Sequence, residues 1–238
     1  MNPLGTIKYL VLDARYEKVR HGGSVRDCAL LIAIGIDAEG RRSVLGNSVG
    51  LSEAEVHWRE FLTSLQDRGL HGVELVICDD HKGLRAARKA RFAGVPWQRC
   101  QFHLQQNAQA HVPRKELRRD VAEGLRGIFN AANRYEAGRR LDEFAKAWRE
   151  LAPRLASWAE ENIPEGLTVF DLDLTEAQRK RLRTSNGLEN LNQQIKRRTA
   201  VARLFPNEAS LLRLSSAVLM EISEEWETGR RYLPGDDA

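Results

Sequence analysis

Residues 29–36 read ALLIAIGI, eight positions in a row with no charged or hydrogen-bonding side chain. A strand with one face in water alternates apolar and polar residues, so a run this uniform requires cover on both faces. It belongs to a segment, Val25 to Ile36, expected to form a central strand of a layered sheet. Upstream, Tyr9-Leu10-Val11-Leu12-Asp13 is a second apolar run that ends in an acid, and the weak alternation from Ala14 to Arg20 continues it. His21-Gly22-Gly23 supplies the turn between the two. Downstream, Asp37-Ala38-Glu39-Gly40 is a turn and Arg41 to Val49 a third strand. The opening of the chain is therefore expected to be an antiparallel meander.

The pattern then changes period. Ser52-Glu53-Ala54-Glu55 has the form of a capping box, and Trp58, Phe61, Leu62 and Leu65 recur at helical spacing before Gly69 ends the helix. Val73 to Cys78 is a strand that runs into Asp79-Asp80-His81, so a second acid stands where ligands gather in open α/β sheets. Lys82 to Phe92 is a basic helix, and Val95 to Phe102 a short strand containing Trp97 and Cys100. Three strands, a helix, a strand, a helix and a strand is the order of a ribonuclease H-like sheet, an α/β fold with helices on its flanks. From Leu104 to about Leu167 the pattern is wholly helical, with Pro113 near its start and Pro164 and Gly166 near its end. The expected division is a core from 1–112 and 175–238, interrupted by an all-α insertion at 113–174. Thr175 caps a further basic helix, and Asn207 caps a last one from about Glu208 to Glu227.

Between those two helices lies RTSNGLENLNQQIKRR, Arg183 to Arg198, where a single carboxylate, Glu189, stands amid amides and positive charge. On a helix Asn186, Glu189, Asn190 and Gln193 form one polar stripe, while Leu188, Leu191 and Ile195 form an apolar one. Asn186 and Glu189 also have the spacing of a capping box, so Glu189 is either a local structural device or a metal ligand beside a polyanion. From Gln178 to Arg203 eight Lys or Arg accompany that one Glu. The whole chain of 238 residues carries only +4, and it is this local clustering that points to nucleic acid. No run of 18 apolar residues and no signal-peptide pattern occurs. Cys28, Cys78 and Cys100 suit reduced thiols better than a disulfide framework, so a soluble cytoplasmic protein with no membrane partner is expected.

The sequence resembles the catalytic portion of prokaryotic Mutator-type insertion-sequence transposases, which are DDE transposases. The resemblance is carried by YLVLDARYEKVR around Asp13, CDDHKGL around Asp79, WQRCQFH with Cys100 and His103, TSNGLENLN around Glu189, and KRRTAVARLFPN, in that order from about Tyr9 to Tyr232. It implies a ribonuclease H-like fold with a helical insertion before the third acid. Asp13, Asp79 and Glu189 match the catalytic triad, and Cys100 with His103 the family's short Cys/His motif. The helical DNA-binding region that precedes the first catalytic strand in full-length members has no counterpart before Tyr9. End-specific recognition is therefore the function expected to be weakened in this form.

Such enzymes hydrolyse a phosphodiester and then attack another with the freed 3′-hydroxyl. Two Mg²⁺ ions roughly 3.5–4 Å apart, with Mn²⁺ as substitute, can activate the nucleophile and stabilise the leaving oxygen. Carboxylates are the hard ligands Mg²⁺ prefers. Asp13 is expected to bridge the metals, with Asp79 and Glu189 each on one. Asp80 is the rival of Asp79, and because the two fall on opposite faces of a strand only one can join the site. Cys100 and His103 are two ligands, short of a tetrahedral zinc site, and are expected to be a packed thiol and a hydrogen-bonded imidazole. Trp97 is expected in the core, with stacking on a displaced base as the alternative. Lys180, Arg183, Asn186, Asn190, Lys196, Arg197 and Arg198 are the expected DNA contacts, salt-sensitive and largely blind to sequence. The partners expected are transposon terminal inverted repeats, target DNA and a second copy of the chain, at least a dimer on DNA. A non-catalytic DNA-binding or oligomerising remnant is the alternative function, and a structure-directed nuclease of the same fold a third.

Overall fold

The computed structural model describes residues 3–199 and 204–233, the side chains of 186–190 lying outside that description. Five strands, β1 (Tyr9–His21), β2 (Ser24–Ile36), β3 (Arg42–Gly50), β4 (Leu75–Cys78) and β5 (Trp97–Arg99), form one mixed sheet in the order β3-β2-β1-β4-β5. The helices are α1 (Glu55–Asp67), α2 (Lys82–Arg91), α3 (Gln101–Ala108), α4 (Arg118–Phe129), α5 (Arg134–Trp148), α6 (Pro153–Asn162), α7 (Glu176–Leu182), α8 (Asn186–Thr199) and α9 (Glu208–Thr228). The chain divides into two compact units, one of residues up to Pro96 together with those from Ser185 on, the other Trp97–Thr184. Among the described residues no helix is long and apolar enough to cross a membrane.

In the first unit the meander forms as its turns dictate. Gly22 and Gly23 take φ of 55° and 83°, which side-chain-bearing residues rarely adopt, and so allow a two-residue hairpin between β1 and β2. β2 pairs antiparallel with both β1 and β3, and its residues Cys28 to Ile36 are buried. The middle place in the strand order falls to β1, which pairs with β4 in parallel on its other side. That parallel pairing is what needs α1 as a crossover.

Alternation along β3 shows how the sheet is covered. A Cβ on Gly46 would meet Leu65 and Phe61 of α1 at 3.4 and 3.6 Å, whereas the next residue, Asn47, donates to Ser215 Oγ of α9 at 2.8 Å. Successive strand residues face opposite sides, so α1 and α9 cover opposite faces. α1 buries Trp58, Phe61, Leu62 and Leu65, each such residue contributing about 1.5–3 kcal/mol by its removal from water. Its predicted capping box is not made: the helix begins at Glu55 behind Ala54, and no side chain caps it. Glu53 instead turns toward His81, 3.6 Å away, and Glu55 is ion-paired with Arg59. The boxes and caps expected later do form, Thr175 with Gln178 before α7 and Asn207 on Ser210 before α9.

The second unit is helical beyond β5. Val121, Leu125, Ile128, Phe129, Ala137, Leu141 and Phe144 of α4 and α5 share a core with Leu155, Ala159, Ile163 and Leu167. The strand expected from Val95 to Phe102 is shorter, Trp97–Arg99, because Cys100 is already the N-cap residue of α3. A fully buried amide holds this entry. Gln98 donates to the carbonyls of Gly166 and Arg99, both at 2.7 Å, and accepts from the Val169 N–H at 2.9 Å, so its polar atoms are satisfied away from water.

Candidate active site

The parallel register of β1 and β4 pairs Tyr9 with Leu75, Leu10 with Val76 and Val11 with Ile77. The pairing ends at Val11–Ile77; Asp13 lies two residues further along β1, and Asp79 is the residue that follows β4. Both acids are half-buried, and Asp79 Oδ1 is shielded from solvent. Asp80 has the other phase, and its Oδ1 lies 2.5 Å from Arg85 Nε on α2.

The third element is α8. Leu191 and Ile195 are fully buried, which rolls the helix onto the unit's core and sets its azimuth. With those two inward, Asn192 Nδ2 donates to Asp13 Oδ2 at 2.8 Å. Arg15, two residues beyond Asp13 on the same side of β1, donates to the backbone carbonyl of Asn192 and lies 2.6 Å from Glu17. Thr199 Oγ1 donates to Glu17 Oε1 at 3.1 Å. Residue 189 is on this helix one turn before Asn192, and the side chains of Asn186, Glu189 and Asn190 lie outside the described residues. Among the described residues no three His, Cys, Asp or Glu gather as a metal site.

Asn192 and Arg15 are the site residues that the sequence pattern did not single out. The signal was present in the spacing: Leu188, Asn192, Ile195 and Thr199 stand at i, i+4, i+7 and i+11, so two polar residues share the helix's apolar side. The expected polar stripe ends instead at Gln193, which is exposed.

The expected phosphate-binding residues differ in their engagement. Lys196 and Arg197 are exposed in the last turn of α8. Arg198 forms a two-pronged pair with Glu221 of α9, one prong at 2.9 Å, which raises the guanidinium pKa and lowers that of the carboxyl. In the other unit Lys180 Nζ lies 2.5 Å from Glu176. Arg183 donates to the Phe129 carbonyl at 2.7 Å and to Asn130 Oδ1 at 2.8 Å, and burial lowers its pKa. Cys100 is buried at the start of α3, His103 is half-buried one turn on with its ring edge-to-face on Phe102, and Trp97 is half-buried with its carbonyl bonded by Thr168 at 2.6 Å.

The family model described as "Transposase, Mutator family" matches residues 3–229. The chain is 58% identical over 231 residues to the transposase for insertion sequence element IS406 of Burkholderia multivorans, covering 97% of this chain and 59% of that protein. It is 44% identical to the transposase for ISRM5 of Rhizobium meliloti, covering 96% of this chain and 57% of that one. It is 36% identical to the transposase for IS256 in transposon Tn4001 of Staphylococcus aureus, covering 96% and 58%. The chain thus spans somewhat under three fifths of the length of these relatives. A family match over nearly every residue, joined to relatives of this closeness, makes the chain a member of the Mutator family of transposases.

Proposed function

We propose that the chain is the catalytic portion of a DNA transposase that cuts at the ends of an insertion sequence and joins them to target DNA, with Mg²⁺ or Mn²⁺ as cofactor. What supports this reading is the parallel pairing of β1 with β4, whose register, if extended two residues beyond its last pair, would align Asp13 with Asp79, together with the bond from α8, the helix bearing residue 189, to Asp13. The donor set suits the cofactor: carboxylate oxygens are hard ligands, and Asp13 on β1 and Asp79 just after β4 belong to neighbouring strands of the sheet. Asp13, Asp79 and Glu189 would hold the metals, which when bound supply charge stabilisation at the attacking and leaving oxygens of an in-line displacement. The chain's own part is to fix the carboxylates and present the DNA. Asp80, held by Arg85, stays out of the site. Lys196 and Arg197, exposed beside it on α8, neutralise backbone phosphates, with a steep salt dependence.

The strand order, mixed pairing and helices on both faces support a ribonuclease H-like core, 1–112 with 175–238, carrying an all-α insertion at 113–174. Work on paired element ends in the cytoplasm, as at least a dimer on DNA, belongs to the same proposal.

The test is nicking and strand transfer on labelled DNA bearing candidate element ends, with Mg²⁺ or Mn²⁺, comparing the chain with Glu189→Gln. Metal-dependent joining that the variant loses is the expected result. DNA that is bound but neither cut nor joined, with the variant indistinguishable, would make the chain a remnant. Cutting without joining would make it a nuclease.

A further inference from the structure

We propose that Asn192 is a positioning residue. It orients the Asp13 carboxylate and, with Arg15, Glu17 and Thr199, fixes the register of α8 along β1. The proposal rests on Asp13 being a metal ligand and asks what holds it, and residue 189, in place.

Asp13, Arg15 and Glu17 are alternate residues of one strand and therefore share a face. Asn192 and Thr199 are seven residues apart on α8, two turns, and share a side of the helix. The bonds between them form a ladder with two ends. At one end is Asn192 Nδ2 to Asp13 Oδ2, with the Arg15 guanidinium on the Asn192 carbonyl, and at the other Thr199 Oγ1 to Glu17. The Arg15–Glu17 ion pair, each side chain only 15% exposed, joins the two ends.

The lengths agree. Four strand residues span roughly 13 Å at 3.3 Å each, and seven helical residues roughly 10.5 Å at 1.5 Å each. A slip of α8 by one turn would move it about 5.4 Å, twice that mismatch, and would break both ends together. The ladder therefore admits one register, and that register determines how far residue 189 stands from Asp13.

The chemistry of the contact also matters. An amide donates a hydrogen bond to a carboxylate oxygen without bringing a charge of its own. A Lys or Arg in its place would compete with a cation for Asp13. Asn fixes the carboxylate's orientation by one oxygen and preserves its negative charge for a metal. Outer-shell hydrogen bonds of this kind are typically worth about 10–100-fold in metal affinity or activity.

The experiment uses the whole chain and Mn²⁺ alone, with free Mn²⁺ followed by electron paramagnetic resonance and folding by circular dichroism melts. Asn192→Ala should weaken Mn²⁺ binding about 10–100-fold while the melting profile stays close to that of the parent chain. Thr199→Val, which touches only the far end of the ladder, should weaken it by less, and it serves as the second variant if Asn192→Ala does not fold. Asp13→Asn should abolish the tight Mn²⁺ site. If Asp13→Asn binds Mn²⁺ like the parent chain, Asp13 is no ligand, and the functional reading fails together with this one. If Asp13→Asn loses the site but folded Asn192→Ala and Thr199→Val bind as tightly as the parent, the positioning role alone is overturned. A lowered melting temperature with unchanged Mn²⁺ affinity has the same meaning, since it marks a merely structural bond.

Discussion

The same-helix ion pairs of the helical unit and the polar contacts of the candidate site differ in the sequence distance they span. In the helical unit several carboxylates meet cations a turn away on the same helix, although Glu165 and Glu160 pair with the more distant Arg99 and Arg149. Glu136 lies 2.7 Å from both Arg139 and Arg140, Arg119 lies 3.0 Å from Glu123, and Lys180 pairs with Glu176. In the sheet unit the polar contacts at the candidate site join residues far apart in the chain, Asp13 with Asn192 and Glu17 with Thr199. Pairs of the first kind are solvated, screened by salt and worth little to the fold. Contacts of the second kind are formed only when the strand and the helix are both in place, so they carry information about the site.

The contrast can be broken or sharpened by substitution. The largest effect is expected at the strand ends. Asp79→Asn should reduce metal-dependent strand transfer on the order of 10³-fold or more, whereas Asp80→Asn, which alters a carboxylate already held by Arg85, should leave joining within about tenfold of the parent. Equal loss in both, in a gel assay of joined product, would remove the distinction between the two acids.

Next comes the half-buried ion pair of the sheet unit, Arg15 with Glu17. Glu17→Ala leaves the Arg15 guanidinium, 15% exposed, without its carboxylate. Breaking one side of such a pair is expected to cost about 3 kcal/mol in a urea melt. A change too small to measure would put Arg15 and Glu17 in the same class as the surface pairs of the other unit.

The smallest effect belongs to that surface. Glu136→Gln removes the partner of two arginines but should leave the melting temperature at neutral pH nearly unchanged, because the pairs lie along one helix surface, open to water and screened by salt. The direction of its pH dependence is still defined. Hydrogen bonds from Arg139 and then Arg140 hold the Glu136 carboxyl at about 2, below its ordinary 4.5. A lowered pKa in the folded state means that whatever stability the pair contributes is present above pH 4.5 and lost as pH falls through about 2. A carboxyl carbon titration by NMR should find the midpoint near 2 in the parent chain at low salt, and a midpoint near 4.5 would show the arginines elsewhere.

These differences also explain what could be foreseen. The strand at Val25 to Ile36, the helix around Trp58 and the cap at Thr175 were legible because each is written in consecutive residues at period 2, period 3.6 or cap spacing. The Ser52 box failed because a cap competes with tertiary partners: Glu53 is drawn toward His81, and the helix starts two residues later than the box required. Likewise the strand through Cys100 gave way to α3, next to the buried Gln98, whose amide is bonded to the Gly166 carbonyl and the Val169 N–H, each about seventy residues away.

Local chemistry alone thus determined the order of elements, the acid that closes the apolar run of β1 and the one that follows β4, and the basic helix around residue 189. Periodicity and capping act over a few residues and need no partner. Tertiary structure decided the rest: that β4 pairs with β1 in parallel, that Asp80 is held by Arg85, that Arg198 is held by Glu221, and that Asn192 is the amide reaching Asp13. Sheet register and helix azimuth are set by which side chains a distant partner can bury. Leu191 and Ile195 roll α8 onto a core built by residues far from them in sequence, and the direction of every polar group on that helix follows from that burial.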